Sequence, residues 1–175
     1  MYGPPRDCKG KVWSRRQVWA NVFVNNLSIA VVDRKQRRGI DKWHGGTVLS
    51  NFPMALDERQ KRLFVGFRLP ARLLVFNTQN GQVVAKLPIV GDSDDLFFDE
   101  ARPLIYVIGG EGFVDIFRQQ DLDHYERVTR ITTAAGVRTG LFVPSLDRLF
   151  VAVPHRDSQT ARILVYQAFG ISPKH

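Results

Sequence analysis

Short apolar stretches alternate with polar turns along most of the chain, and an aromatic residue followed by valine returns at a nearly constant interval. Successive aromatics are 41, 42 and 44 residues apart, in the pairs Phe23-Val24, Phe64-Val65, Tyr106-Val107 and Phe150-Val151. A second apolar segment follows each pair, as Val31-Val32-Asp33, Val75-Phe76-Asn77, Ile116-Phe117-Arg118 and Val165-Tyr166-Gln167. A period in the low forties that contains only strand-like segments is typical of β-propeller blades. The pattern therefore predicts an all-β protein, a β-propeller of about four antiparallel four-stranded blades.

The repeat divides the chain into an N-terminal lead-in, four blades and a short tail. Residues 1–17 do not match the repeat and contain two prolines and two glycines, so we expect them to be irregular. The four blades are predicted at residues 18–43, 53–87, 95–131 and 138–167, with a tail at 168–175. The second and third blades are complete, whereas the first lacks an inner strand and the fourth lacks an outer one.

An incomplete set of blades has consequences for the shape of the molecule. Such short strands need neighbouring blades on both faces. We therefore expect the chain to form part of a seven-bladed ring or an incomplete ring. The alternatives are a self-closing four-bladed ring and a ring completed by self-association with a second copy.

Several short segments, in this order and at this spacing, carry a resemblance to a known family. They include Arg62-Leu63-Phe64-Val65-Gly66, Gly109-Gly110-Glu111-Gly112-Phe113-Val114-Asp115 and Leu149-Phe150-Val151-Ala152-Val153-Pro154. Over residues 18–167 the sequence resembles the YVTN-repeat (YncE-like) β-propeller family. The resemblance implies a seven-bladed ring in full-length relatives, which are periplasmic or exported, and a binding module without shared catalytic residues. This sequence matches only about the C-terminal four blades of that pattern.

Composition narrows the class of protein further. Of the 175 residues 44% are hydrophobic, which favours a globular core over wholesale disorder. The single cysteine, Cys8, excludes an internal disulfide and a multi-cysteine metal site, and no cofactor is predicted. No apolar run approaches the roughly 20 residues of a membrane helix, and the first residues show no secretory signal.

The positive charge is concentrated near the N-terminus. The chain carries a net charge of +8, and residues 1–42 hold ten Lys and Arg against three Asp. This excess sits in the N-terminal segment and in a turn with four cations, Arg34, Lys35, Arg37 and Arg38. Phosphate contacts there, with tryptophans that stack on bases, make single-stranded nucleic acid an alternative partner to an unidentified small molecule or protein.

A propeller binds ligands where loops gather at the mouth of its central channel. The loops predicted at that mouth contain charged and polar side chains of both signs, which suit a polar or anionic small ligand. Ordinary solvated loops with ion pairs between blades are the alternative. The candidates are His44, Asn51, Arg68, Arg72, Asp92, Asp94, Asp95, Glu111, Arg138, His155 and Arg156.

Three of these features have competing interpretations. The run Asp92-Ser93-Asp94-Asp95 lacks the spacing of a calcium hand, which favours a structural role in which Arg138 neutralises it. Gly109-Gly110-Glu111-Gly112 links two strands, so a tight turn is expected rather than a phosphate cradle. A lyase or hydrolase that uses His44 or His155 as base is a weaker alternative to the predicted non-enzymatic module, and no metal site is predicted.

Overall fold

The structure is a computed structural model that describes residues 7–8, 11–22 and 28–168, with side chains described for residues 11–21, 28–50 and 53–168. Its first sheet contains β1 Asp7–Cys8, β2 Lys11–Trp13, β3 Gln17–Val22, β4 Ser28–Asp33 and β5 Arg38–His44. The second sheet contains β6 Leu49–Asp57, β7 Arg62–Leu69, β8 Ala71–Asn77 and β9 Val83–Pro88.

The third and fourth sheets continue the same order of strands. The third contains β10 Ser93–Asp99, β11 Leu104–Gly109, β12 Phe113–Gln119 and β13 Tyr125–Thr132. The fourth contains β14 Thr139–Val143, β15 Arg148–Val153 and β16 Arg162–Gln167, with a 3-10 turn at Pro144–Leu146. Each strand pairs antiparallel with its neighbour in sequence. The prediction of an all-β chain with four antiparallel sheets is confirmed.

The first sheet begins earlier than the repeat indicated. Strand β2 lies inside the segment expected to be an irregular lead-in, and it supplies the inner strand that the sequence pattern did not show in the first blade. At three residues it is too short to show a period, although Val12 is fully buried. The expected tail, 168–175, lies outside the described residues except for Ala168, and the described part of the fourth sheet has three strands.

Strand pairing also corrects the first member of the repeat. Phe64, Tyr106 and Phe150 lie on the second main strand of their sheets, opposite Val75, Ile116 and Val165. In the first sheet Trp19 occupies this position, opposite Val31. The sequence pattern assigned it to Phe23, which lies outside the described residues, because Trp19 is followed by alanine and Phe23 by valine.

Three apolar clusters hold the four sheets together, one at each junction between consecutive sheets. Trp19 and Trp43 of the first sheet pack on the second sheet. There the ring of Trp43 stacks on that of Phe76, with 6.1 Å between the ring centroids. The next two junctions centre on Phe64 and on Tyr106. Burial of Tyr106 raises the pKa of its hydroxyl to about 12. Every residue of β11 is buried, as expected for a strand covered on both faces.

The described sheets form an open arc. No apolar cluster in the described part of the chain joins the fourth sheet to the first. Phe150 is accordingly half-buried, whereas Trp19, Phe64 and Tyr106 at the equivalent positions are at most 2% exposed. The described residues contain no helix that could cross a membrane.

Equivalent phenylalanines at a covered and an open position provide a test of this arc. Phe64→Ala leaves a cavity between two sheets and should lower the free energy of unfolding by about 3–5 kcal/mol. In a single copy, Phe150→Ala removes a half-buried ring from the open face and should cost only about 1 kcal/mol. Urea unfolding of both variants, at dilutions where light scattering shows a monomer, measures the difference. Equal losses at those dilutions would show that the face of Phe150 is covered within one copy.

Candidate functional site

One end of the arc collects the loops that the sequence assigned to the channel mouth. They are the connections between sheets at residues 45–48, 89–92 and 133–138, and the hairpin loops at 110–112 and 154–161. Several candidates lie at strand ends rather than in loops, because β7 and β10 extend into segments that the sequence assigned to loops. Arg68 belongs to β7, and Asp94 and Asp95 belong to β10. This end is called the mouth below.

The acidic run at residues 92–95 joins three sheets through ion pairs. Arg68 of the second sheet contacts Asp94 Oδ1 with Nη2 at 2.9 Å and Asp92 Oδ1 with Nη1 at 3.3 Å. From the side of the fourth sheet, Arg138 Nε donates to Asp92 Oδ2 at 2.5 Å. The structural pairing of Arg138 with the acidic run is therefore confirmed.

Backbone donors complete this connection. Gly91 N donates to Glu111 Oε2 at 2.9 Å, and Gly140 N of the fourth sheet donates to Asp95 Oδ2 at 2.8 Å. A Cβ at position 91 would collide with the carboxylate of Glu111, so a larger residue there would displace Glu111 from this hydrogen bond. The glycine-rich segment 109–112 is a tight turn, as predicted, with Gly112 at a φ of 92°.

A buried carboxylate that the sequence did not single out anchors the same loop. Asp115 is fully buried on β12, and its Oδ2 accepts a hydrogen bond from Val90 N at 2.7 Å. Arg130 on β13 donates two bonds to it, of 2.6 and 2.8 Å, and this hydrogen bonding raises the pKa of Arg130. Alignment of the repeats could have singled out Asp115, because the matching positions on β8 and β16 are Leu74 and Leu164.

Other candidates at the mouth remain apart from this network. Arg72 donates to Ala71 O within its own hairpin, and the side chain of Asn51 lies outside the described residues. His44 ends the first sheet and His155 lies in a loop of the fourth, and both are exposed. In the described chain no three His, Cys, Asp or Glu side chains are grouped to hold a metal ion.

The basic candidates lie at the other end of the arc, opposite the mouth. Arg34, Lys35 and Arg37 form the β4–β5 turn, Arg38 starts β5, and all four side chains are exposed. Arg34 Nη1 donates to Ser14 O at 2.7 Å, which attaches this turn to the β2–β3 turn. Two cavities of about 480 and 410 Å³ also lie at this end, and neither is lined by a mouth candidate.

The charged side chains of the mouth are thus already engaged with one another and with the backbone. Arg68 and Arg138 are engaged with Asp92 and Asp94, and Glu111 and Asp95 accept from backbone amides. Side chains held in such pairs fix the angle between sheets. They would have to exchange these partners to bind a ligand.

Comparisons with known proteins show the fold. No protein-family model matches the sequence, and no curated protein matches it. Among solved structures, Kuenenia stuttgartiensis hydrazine synthase matches with a TM-score of 0.76 and 13% identity, over 87% of this chain and 43% of that one. BamB from Moraxella catarrhalis matches with a TM-score of 0.62 and 13% identity, over 81% of this chain and 38% of that one.

Both of these structures are β-propeller proteins, and this chain therefore has a β-propeller fold. It spans less than half the length of either. At 13% identity the likeness concerns the arrangement of sheets and not the residues at the mouth.

The buried carboxylate offers a test of what holds the mouth together. Asp115→Asn should lower the free energy of unfolding by roughly 2–3 kcal/mol, because it weakens charge-assisted hydrogen bonds in a buried position. Chemical denaturation measures the loss. Asp121→Asn is a matched control, since Asp121 lies in an exposed turn of the same chain. Similar losses in both variants would contradict a special role for Asp115.

Proposed function

We propose that this chain is a non-enzymatic β-propeller module that binds protein, and that its self-association completes a ring. The open face of the fourth sheet carries this proposal. Leu141, Phe150 and Val165 are direct cross-strand neighbours on that face. Leu141 is 57% exposed and Val165 is 54% exposed, and Ile163 beside them is 60% exposed. A contiguous apolar face of this kind marks an interaction surface.

The repeat supports one type of surface as the partner of such a face. In the first three sheets, the cross-strand pairs that correspond to Phe150–Val165 are Trp19–Val31, Phe64–Val75 and Tyr106–Ile116. Each of these three pairs is buried beneath the next sheet. The pair in the fourth sheet also combines an aromatic with an aliphatic residue, but no next sheet covers it among the described residues. A propeller-type sheet is therefore the partner surface that fits it best.

The first sheet presents the complementary face. Val18, Ala20, Ala30 and Val32 of the first sheet are half-buried and point away from the second sheet. Their counterparts in the second sheet, Leu63, Val65, Leu74 and Phe76, are fully buried against the first. One copy therefore supplies both halves of a junction that a second copy would complete.

The finer features of the proposal have separate support. Two copies approach the length of the propeller chains that this one matches, since it spans less than half of each. Membership of the YVTN (YncE-like) family is supported by the pairing of its aromatic positions in three sheets. The absence of catalysis is supported by the pairing of charged residues at the mouth and by the placement of His44 and His155 in different sheets.

The mass of the protein in solution tests self-association. Light scattering should give a dimer of the 19.9 kDa chain, and Leu141→Asp should convert it to a monomer by placing a charge in the apolar junction. Leu146→Asp is the matched control, since Leu146 is 59% exposed but lies in the turn before β15 and off the open face. A wild-type monomer at every soluble concentration would overturn the proposal.

Single-stranded nucleic acid is the second candidate partner, through the exposed β4–β5 turn. The attachment of this turn to the β2–β3 turn brings Arg34 beside Arg16, whose carbonyl accepts from Arg34 N at 2.9 Å. The result is a continuous basic edge that suits a phosphate backbone.

Salt dependence discriminates this candidate from protein binding. If the basic edge binds nucleic acid, affinity for oligothymidine should fall steeply with salt. Replacement of Arg34, Lys35, Arg37 and Arg38 by Gln should then flatten the slope by about 0.7 for each phosphate that is no longer neutralised. Fluorescence anisotropy at several salt concentrations measures the slope. An unchanged slope in the fourfold variant would exclude the turn as the binding surface.

A further inference from the structure

The larger cavity at the end opposite the mouth has the features of a binding site. It has a volume of about 480 Å³ and lies between the first and second sheets. Three turns surround it, at residues 14–16, 58–61 and 78–79. Its volume falls within the range of roughly 300–1,000 Å³ that small-molecule sites occupy.

The charged residues that line this cavity are mostly cations. Arg15, Arg16 and Lys61 line it, against the single carboxylate of Glu58. None of the three cations forms an ion pair with another described residue. The charged groups of the lining therefore leave a local excess of two positive charges.

The lining of the cavity also contains apolar side chains, with polar groups beside them. Trp19 and Leu56 line it and are 2% and 9% exposed. The indole Nε1 of Trp19 is buried and has no hydrogen-bond acceptor in the described chain. Thr78, which is 8% exposed, adds a hydroxyl to the lining.

The turns that carry the cations are held in place by their own hydrogen bonds. Ser14 Oγ accepts from the backbone amides of Arg16 and Gln17 at 3.2 and 3.1 Å. Thr78 N donates to Lys61 O at 3.0 Å, which fixes the third turn against the second. The cationic rim is consequently built on ordered backbone.

We propose that this cavity binds a small organic molecule that carries a phosphate monoester. Such a group has a charge of about −1.5 to −2 at neutral pH and several acceptor oxygens, which matches the excess of two positive charges. Arginine guanidinium groups bind phosphate with paired hydrogen bonds. Because inorganic phosphate fills only a small part of the volume, the organic part of the ligand packs on Trp19 and Leu56.

Phenyl phosphate is the probe for this site, and isothermal titration calorimetry is the measurement. The wild-type protein should bind phenyl phosphate more tightly than benzoate or inorganic phosphate. Affinity should fall as the pH is lowered from about 7 to about 5, because the second phosphate ionisation has a pKa near 6. Failure to bind phenyl phosphate at millimolar concentration would overturn the proposal.

Two double variants with the same change of charge separate the site from the general positive field. Arg15→Gln with Arg16→Gln should weaken phenyl phosphate binding by about tenfold or more, since both cations line the cavity. Lys86→Gln with Arg162→Gln should leave it unchanged, because neither residue lines the cavity and both are exposed elsewhere on the chain. All four residues are exposed, so both variants should keep the thermal stability of the wild type. Equal losses in the two double variants would refute a defined site.

A separate arm of the experiment tests whether the phosphate group comes from the end of a nucleic acid. Oligothymidine with a 5′-phosphate and the same oligonucleotide with a 5′-hydroxyl should be titrated against the wild type. Tighter binding of the phosphorylated form, abolished by Arg15→Gln with Arg16→Gln, would support the site and identify a nucleic-acid end as its source. Equal binding of both oligonucleotides without binding of phenyl phosphate would refute it. The result is independent of self-association, which uses the faces of the fourth and first sheets.

Discussion

A sheet that is apolar on both faces can be stable only when another sheet lies against each of them, and the rest of this structure depends on that requirement. Phe64 and Tyr106 lie at equivalent positions of consecutive sheets and are covered by the sheet that follows. Every sheet therefore has one face toward the following sheet and one face toward the preceding sheet. Phe150 completes the series but has no following sheet among the described residues, and Val18 faces outward from the first.

Charged residues at the mouth serve the same packing of sheets. Arg68 and Arg138 approach Asp92 from opposite sides, so one carboxylate connects the second, third and fourth sheets. Asp115 is enclosed by Arg130 and by the amide of Val90, which secures the loop that carries Asp92. The polar groups best placed to meet a ligand in the channel are thereby used to hold the arc together. The cations around the larger cavity, which form no ion pair with any described residue, lie at the other end.

Most of the fold could be predicted because apolar periodicity is a local property of the sequence. The apolar segment Val31-Val32-Asp33 was predicted and lies in strand β4, because apolar residues and the polar turn that follows them mark it locally. Strand β2 was missed because three residues cannot display a period, and Trp19 was missed because its neighbour is alanine. At the mouth the pairing of Arg138 with the acidic run was anticipated. The burial of Asp115 depends on how two sheets meet, and no local pattern within one strand predicts that. Alignment of the repeats gives a partial indication, because the matching positions in other sheets are leucines.

The open face of the fourth sheet has a consequence for cooperativity. In a repeat architecture each unit contacts only its neighbours, so stability is a sum of terms from the units and the junctions between them. The second and third sheets each take part in two described junctions, whereas the first and the fourth each take part in one. Local unfolding should therefore start at these two sheets, in the fourth at β16, and proceed inward, which hydrogen exchange would reveal as a gradient of protection. Any molecule that covers Phe150 adds a junction, so its binding free energy becomes part of the folding free energy of the last sheet.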